Sequence, residues 1–166
     1  MTKFLILHQY ERRFTMKSII KSSTQLVLCV LLLAAQMELF HQGIWYLDDV
    51  IYVVNIANPC YWLCCWTVSL VTVALLVVSP VSLVFSAQDD DKNLSKKRLF
   101  ATLSCVLSAV GALVSLVQLL FSLFNMSATA PLYPTYTLVT ILLEALSFVG
   151  FIVIGWAGRR LHELAS

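Results

Sequence analysis

Near the middle of the apolar stretch LVTILLEALSFVGFIVIGW, Leu138 to Trp156, sits a single ionisable side chain, Glu144. An acidic residue at the centre of a bilayer-spanning helix costs about 2.5–3.5 kcal/mol on insertion scales, so it needs either a partner or a task. Two chemistries fit. Glu144 can stay neutral and protonated, because burial disfavours the charged form, and hydrogen-bond a Ser, Thr or Gln of a neighbouring helix. Alternatively it takes up and releases protons or ions. The structural role is the expectation. A second carboxylate, Glu38, precedes His41 and Gln42 by three and four residues, which places all three on one helix face. Glu38 with His41 would make a proton-accepting pair at the outer mouth of a bundle. The favoured alternative has Glu38 reaching the interface beside a solvated His41.

Other site chemistries find no support. The chain has no phosphate-cradling glycine loop, no Cys/His or Ser/His arrangement, no haem motif and no zinc-ligand spacing. No catalytic, cofactor-binding or metal-ligating residue is therefore assigned, and neither an enzyme nor a nucleic-acid partner is expected. The five cysteines do not form a framework. Cys29 and Cys105 fall within apolar runs, and Cys60, Cys64 and Cys65 cluster at the start of another. Most are expected to be small packing residues. Cys60 is the best candidate for an intermolecular disulfide.

The elements that must carry these residues are membrane helices. Hydrophobic residues make up 60% of the 166 and charged residues only 12%, with a mean hydropathy of +0.86. That balance excludes an ordinary soluble domain. Four long apolar runs stand out, at about 24–45, 61–87, 99–124 and 132–156, each near or beyond the roughly 20 residues needed to span a bilayer. Lipid offers no partner to an exposed backbone, and none of the runs alternates as a barrel strand would, so each is expected to be helical. The expected fold is all-α: an integral membrane four-helix bundle over residues 24–157, between a basic tail at 1–23 and a short tail at 158–166.

The positive charges predict the orientation. Of the eleven Lys and Arg residues, five precede the first run, four lie between the second and third, and two follow the fourth. The segments 46–60 and 125–131 contain none, so the positive-inside rule puts both termini and the middle loop in the cytoplasm. The basic cluster Lys96, Lys97 and Arg98 is read as a topology determinant with anionic-lipid contact as an addition. The stretch from Met16 to Gln36 also resembles a secretory signal peptide. The positive charges that precede Met16 favour a retained first helix instead.

Small and polar residues mark the packing seams. In the third run Ser104, Ser108, Gly111, Ser115, Gln118 and Ser122 follow at spacings of 4, 3, 4, 3 and 4, the average period of left-handed helix packing. In the fourth run Thr137, Thr140, Glu144 and Ser147 repeat the device. Small residues let membrane helices approach closely, and hydroxyls and amides bond across them. In the second run Ser69, Thr72, Ser79 and Ser86 share a face, and Pro80 removes a backbone bond to Leu76. The sequon Asn125-Met126-Ser127 is a candidate glycosylation site on the outer side.

The stretches KRLFATLSCVLSAVGALVSLVQLLFS and LLEALSFVGFIVIGWAG resemble the third and fourth helices of the membrane-spanning four-domain subfamily A proteins, the group of the IgE receptor beta chain. The second run departs from that pattern in lacking glycines. Gly43-Ile44-Trp45 is similar to the Gly-Leu-Trp of claudin-like tetraspans, but their long outer sheet with two cysteines has no counterpart here. The expected function is a non-enzymatic oligomeric scaffold, or an accessory subunit that modulates the trafficking or signalling of a receptor or channel. The alternative is a small proton-coupled transporter or channel using Glu144, or Glu38 with His41. The expected partners are the lipid bilayer, further copies of the chain and other membrane proteins. The plasma membrane is the default location, with an endomembrane as the alternative.

Overall fold

Backbone polar groups that cannot reach water must bond within their own segment, and the apolar runs do so as helices. The computed structural model describes Met16 and residues 19–39, 58–87, 94–129 and 134–165. It contains α1 (Ile19–Leu39), α2 (Asn58–Ala87), α3 (Leu94–Thr129) and α4 (Pro134–Ala165), and no strand among the described residues. All four helices are long and apolar enough to cross a membrane, over Ile19–Leu39, Tyr61–Phe85, Leu94–Phe124 and Thr137–Glu163. The chain is an integral, multi-pass membrane protein by that measure.

Element boundaries differ from the sequence expectation mostly by extension. Lys96, Lys97 and Arg98 belong to the first turns of α3. At its other end α3 continues to Thr129, so the Asn125 sequon lies in the last turns of a helix and not in a loop. The presumed tail after 157 is helical as far as Ala165. Hydropathy marks where a helix leaves lipid, whereas the hydrogen-bond ladder runs on into the polar region while propensity permits. In the last turns of α4, Glu163 pairs with Arg159 at 3.3 Å and Arg160 at 2.9 Å, one turn back along the helix. Arg160 also lies over the Trp156 ring, 5.6 Å from its centroid. Pro59 and Pro134 occupy first turns, where a missing N–H costs nothing. Pro80 sits inside α2 without ending it.

Each helix buries one stripe. On α1 it is Ser22, Gln25, Cys29, Leu32, Gln36 and Leu39, and on α2 it is Cys65, Val68, Thr72, Leu75, Ser79 and Ser82. On α3 it is Ala101, Ser104, Ser108, Gly111, Ser115 and Gln118, and on α4 it runs from Thr137, Thr140, Glu144 and Ser147 to Phe151 and Ile154. Every successive gap is three or four residues, the period at which helices keep one seam against their neighbours along their length. Of the second-run face expected from sequence, Thr72 and Ser79 are buried and Ser69 is half-buried, while the Ser86 side chain lies outside the described residues.

Side-chain contacts give the order around the bundle. Helix α1 meets α4 through Gln25 and Ile154 and through Gln36 and Ser147, and it meets α2 through Cys29 and Ser79. Helix α3 meets α2 through Gln118 and Cys65 and through the stacked rings of Phe85 and Phe100. It meets α4 through Ser122 and Glu144. Residue numbers rise on one helix as they fall on its neighbour, so consecutive helices are antiparallel, up-down-up-down. The start of α1, the end of α2, the start of α3 and the end of α4 therefore share one end of the bundle.

Glycines set the closest approach of α3 to α4. A Cβ added at Gly111 would fall 2.5–2.8 Å from the ring of Phe151, which is wholly buried. A Cβ at Gly155 would meet the Ser108 Cβ at 3.3 Å, and one at Gly158 would meet the Ser104 Cβ and Cys105 Sγ at 3.2 Å. Small residues on both sides thus bring the backbones together in the absence of a hydrophobic driving force between helices in lipid. The outward faces carry large apolar side chains, among them Leu63, Leu70, Leu113, Val77 and Leu146. Trp66 and Trp156 are also exposed, in keeping with interface anchors.

Candidate functional site

The inward stripes are unusually polar for membrane helices, and their polar groups collect in two layers. The first is built around Glu144, which projects from α4 and is 1% exposed. Tyr61, in the first turns of α2, donates its hydroxyl hydrogen to Glu144 Oε1 at 2.9 Å. Ser122, on α3, donates to the same oxygen at 2.8 Å. One carboxyl oxygen thus ties three helices together. The Tyr61 ring is held by Phe121, with centroids 5.9 Å apart, and Gln118 Nε2 donates to Cys65 Sγ at 3.2 Å.

The fourth helix enters through Gln36. Its Nε2 donates to Ser147 Oγ at 3.0 Å, and Ser147 in turn donates to the Leu143 carbonyl at 2.9 Å. Ser147 lies one turn beyond Glu144 on the same face of α4, so Gln36 brings α1 to the layer in which α2, α3 and α4 meet. Glu144 Oε2, Gln36 Oε1, Ser69 Oγ and Ser115 Oγ are buried with no hydrogen-bond partner among the described residues.

The second polar layer lies toward the opposite end of the bundle. Gln25 Nε2 donates to the Ile154 carbonyl at 3.1 Å, Ser108 donates to the Ser104 carbonyl at 2.6 Å, and Cys105 Sγ lies 3.6 Å from the Gly155 carbonyl. Between the two layers is the apolar core of Cys29, Leu32, Val68, Val71, Leu75, Phe151 and Ile154. It separates them along the bundle axis.

Of the residues singled out from the sequence, Ser104, Ser108, Gly111, Ser115, Gln118, Thr137, Thr140, Ser147 and Glu144 are buried, and Ser122 is half-buried. Glu144, Ser122, Gln118 and Ser147 are brought together in one layer, whereas Ser104 and Ser108 belong to the other. Glu38 is exposed near the end of α1, and its supposed partner His41 lies outside the described residues. The side chains of Cys60 and Asn125 also lie outside them. Among the described residues, no group of three or more His, Cys, Asp or Glu side chains is placed to hold a metal ion.

Sequence reasoning missed Gln25, Gln36 and Tyr61. A signal was present. Gln25 and Gln36 fall at steps of three and four with Cys29 and Leu32, and Tyr61 falls four residues before Cys65 on the α2 stripe. Polar residues on such a stripe face other helices, not lipid. Compared with known proteins, the chain matches no family model, no curated protein and no solved structure.

Proposed function

We propose that the chain is a non-enzymatic four-pass membrane protein that acts by packing against other membrane proteins. It serves as an oligomeric scaffold, or as an accessory subunit that modulates the trafficking or signalling of a receptor or channel. The observation that carries this reading is the direction of the polar groups. The polar seams of the four helices are turned inward, with Gln118, Ser122, Gln36 and Gln25 bonding across to neighbouring helices, while the outward faces carry large apolar side chains such as Leu, Val and Trp. Such a surface is suited to lipid and to van der Waals contact with another transmembrane helix.

In this reading the three- and four-residue spacing winds the bundle left-handed. The basic end, with Lys96, Lys97, Arg98, Arg159 and Arg160, faces the cytoplasm at the plasma membrane with both chain termini. The likeness of α3 and α4 to the membrane-spanning four-domain subfamily A proteins supports the same role, since that resemblance implies four-pass subunits of larger complexes. The Asn125 sequon faces outward as a candidate glycan site.

A second reading, proton-coupled transport, draws on one fact: Glu144 Oε2 is buried and has no hydrogen-bond partner among the described residues. The core between the two polar layers weighs against it, because Leu32, Val68, Val71, Leu75, Phe151 and Ile154 offer a conducted ion no replacement for its hydration shell. Single-molecule photobleaching of the labelled protein in mild detergent, combined with crosslinking in cells, separates the readings. The packing role predicts either multiple bleaching steps or a reproducible crosslinked membrane-protein partner. Single steps with no captured partner, together with proton-dependent flux in reconstituted vesicles, would overturn it.

A further inference from the structure

The segments assigned to the cytoplasm hold all eleven Lys and Arg residues but only five of the nine Asp and Glu, namely Glu11, Asp89, Asp90, Asp91 and Glu163. Among the described residues, three of these cations line the groove between α3 and α4. Ser104 and Cys105 are the α3 residues that a Cβ on Gly158 would meet, each at 3.2 Å, so they mark where α3 touches the last turns of α4. Lys97 and Arg98 stand seven residues before them, which puts them on the same face of α3 and about 10 Å further toward the cytoplasm. Arg159 follows Gly158 directly and lies within electrostatic range of the Cys105 thiol. The groove thus carries positive charge in two tiers. Lys96 stands apart from it, on the flank of α3 that faces α2, with its ammonium 5.6 Å from the centroid of the Phe85 ring.

The tier nearer the bilayer lies at headgroup depth. Trp156, three residues before Arg159, is exposed and carries Arg160 over its ring, and tryptophans of this kind anchor at that level. The Arg159 side chain is 79% exposed, and its contact with Glu163 uses only Nε. The two terminal nitrogens of the guanidinium fork have no partner among the described residues and can take an anionic oxygen pair.

We infer that the cytoplasmic end of the α3–α4 groove is a docking site for the headgroup of a polyphosphoinositide of the inner leaflet, with the phosphodiester on Arg159 and the ring phosphates on Lys97 and Arg98. Charge and depth give the class. Phosphatidylserine carries a single net negative charge close to the bilayer surface, which matches one tier. A polyphosphoinositide carries further phosphates on a ring that stands away from the surface, and so presents anionic oxygens at both depths. Arginine pairs with phosphate bidentately and lysine adds a point charge. Basic pockets between transmembrane helices on the cytoplasmic side suit such headgroups. Glu163, paired with Arg159 at 3.3 Å and Arg160 at 2.9 Å, is the opposing charge of the groove and weakens the site. The inference takes its leaflet from the orientation proposed above, while its test reads lipid binding in micelles, where neither orientation nor a protein partner enters.

The test is native mass spectrometry of the full-length protein in micelles doped with phosphatidylinositol bisphosphate, with phosphatidylserine at the same total negative charge, or with phosphatidylcholine. The expected result is a phosphoinositide-bound population several-fold above that of phosphatidylserine, and higher still above phosphatidylcholine. Arg98→Gln and Arg159→Gln should each lower it several-fold, Lys96→Gln should leave it nearly unchanged, and Glu163→Gln should raise it. All four side chains are exposed near helix ends, so the variants are expected to fold, and circular dichroism checks that they do. Equal occupancy by the two anionic lipids would overturn the inference. So would equal losses from all three cation substitutions, which would mark a diffuse charge effect in place of a groove.

Discussion

Glu144→Leu is expected to destabilise the bundle by about 2–4 kcal/mol, whereas Glu144→Gln should cost less than about 1 kcal/mol. Leucine fills a similar volume but accepts no hydrogen bond, so it leaves the hydroxyls of Tyr61 and Ser122 buried without an acceptor. An unsatisfied buried group costs about 1–3 kcal/mol in soluble proteins and less in bilayers, where alternative partners exist in the unfolded state. Two such groups at one site, on two different helices, account for the expected range. Glutamine keeps a carbonyl oxygen in the position of Oε1 and places an NH2 group where Oε2 was. Reversible unfolding in mixed micelles reads both values. A leucine variant as stable as the wild type would show that the carboxyl does not join the helices.

The second large effect is expected at the contact between α3 and α4. Phe151 is wholly buried in the apolar core, and its ring lies where a Cβ on residue 111 would be. Removing the ring by Phe151→Ala should cost about 3–5 kcal/mol, as truncations of buried aromatics do when the surroundings relax only partly. Gly111→Ala should cost about 1–3 kcal/mol in the wild type, because overpacking outweighs the gain in helix propensity. The sign should reverse in the Phe151→Ala background. There the added methyl enters the space left by the ring and alanine's helix preference is free to act. The same unfolding measurement on the two single variants and the double variant checks this. A Gly111→Ala change that destabilises equally in both backgrounds would mean that the ring and the glycine do not share a contact.

Composition and charge made the architecture legible, because a helix long enough to cross lipid declares itself by hydropathy alone. The α3 stripe was legible for a second reason. Serines, a glycine and a glutamine stand out in a field of leucine and valine, and their three- and four-residue steps can mean only one face of a helix. Glu144 was legible through its cost. What it bonds was not, because the Tyr61 and Ser122 donors are 83 and 22 residues away in sequence, and only the order of helices around the bundle decides who meets whom.

Tyr61 illustrates a further limit. It opens a helix beside tryptophan, where an amphipathic aromatic ordinarily anchors at the membrane interface. Its inward direction follows only from its register with Cys65 and Val68. The helix ends were hidden for another reason. Residues 125–129 and 158–165 are polar enough to read as loops, yet helix propensity and the ladder already formed carry them on. The charge pairs of Glu163 with Arg159 and Arg160 add support at the second of these ends.

Glu144 as the hydrogen-bonded junction of the helices is the central claim, and a double-mutant cycle between Tyr61→Phe and Glu144→Leu tests it most directly. Both variants leave the packed volume nearly unchanged; Tyr61→Phe removes the donor of the bond between them, and Glu144→Leu removes its acceptor together with that of the Ser122 bond, which is present on both sides of the comparison and drops out of the coupling. The cycle therefore isolates that bond from general loss of packing. The account predicts a coupling of about 1 kcal/mol, within the range measured for interhelical hydrogen bonds in membranes. Additivity within about 0.3 kcal/mol would contradict it, by showing that Tyr61 and Glu144 contribute independently and that the carboxyl does not hold α2 to α4.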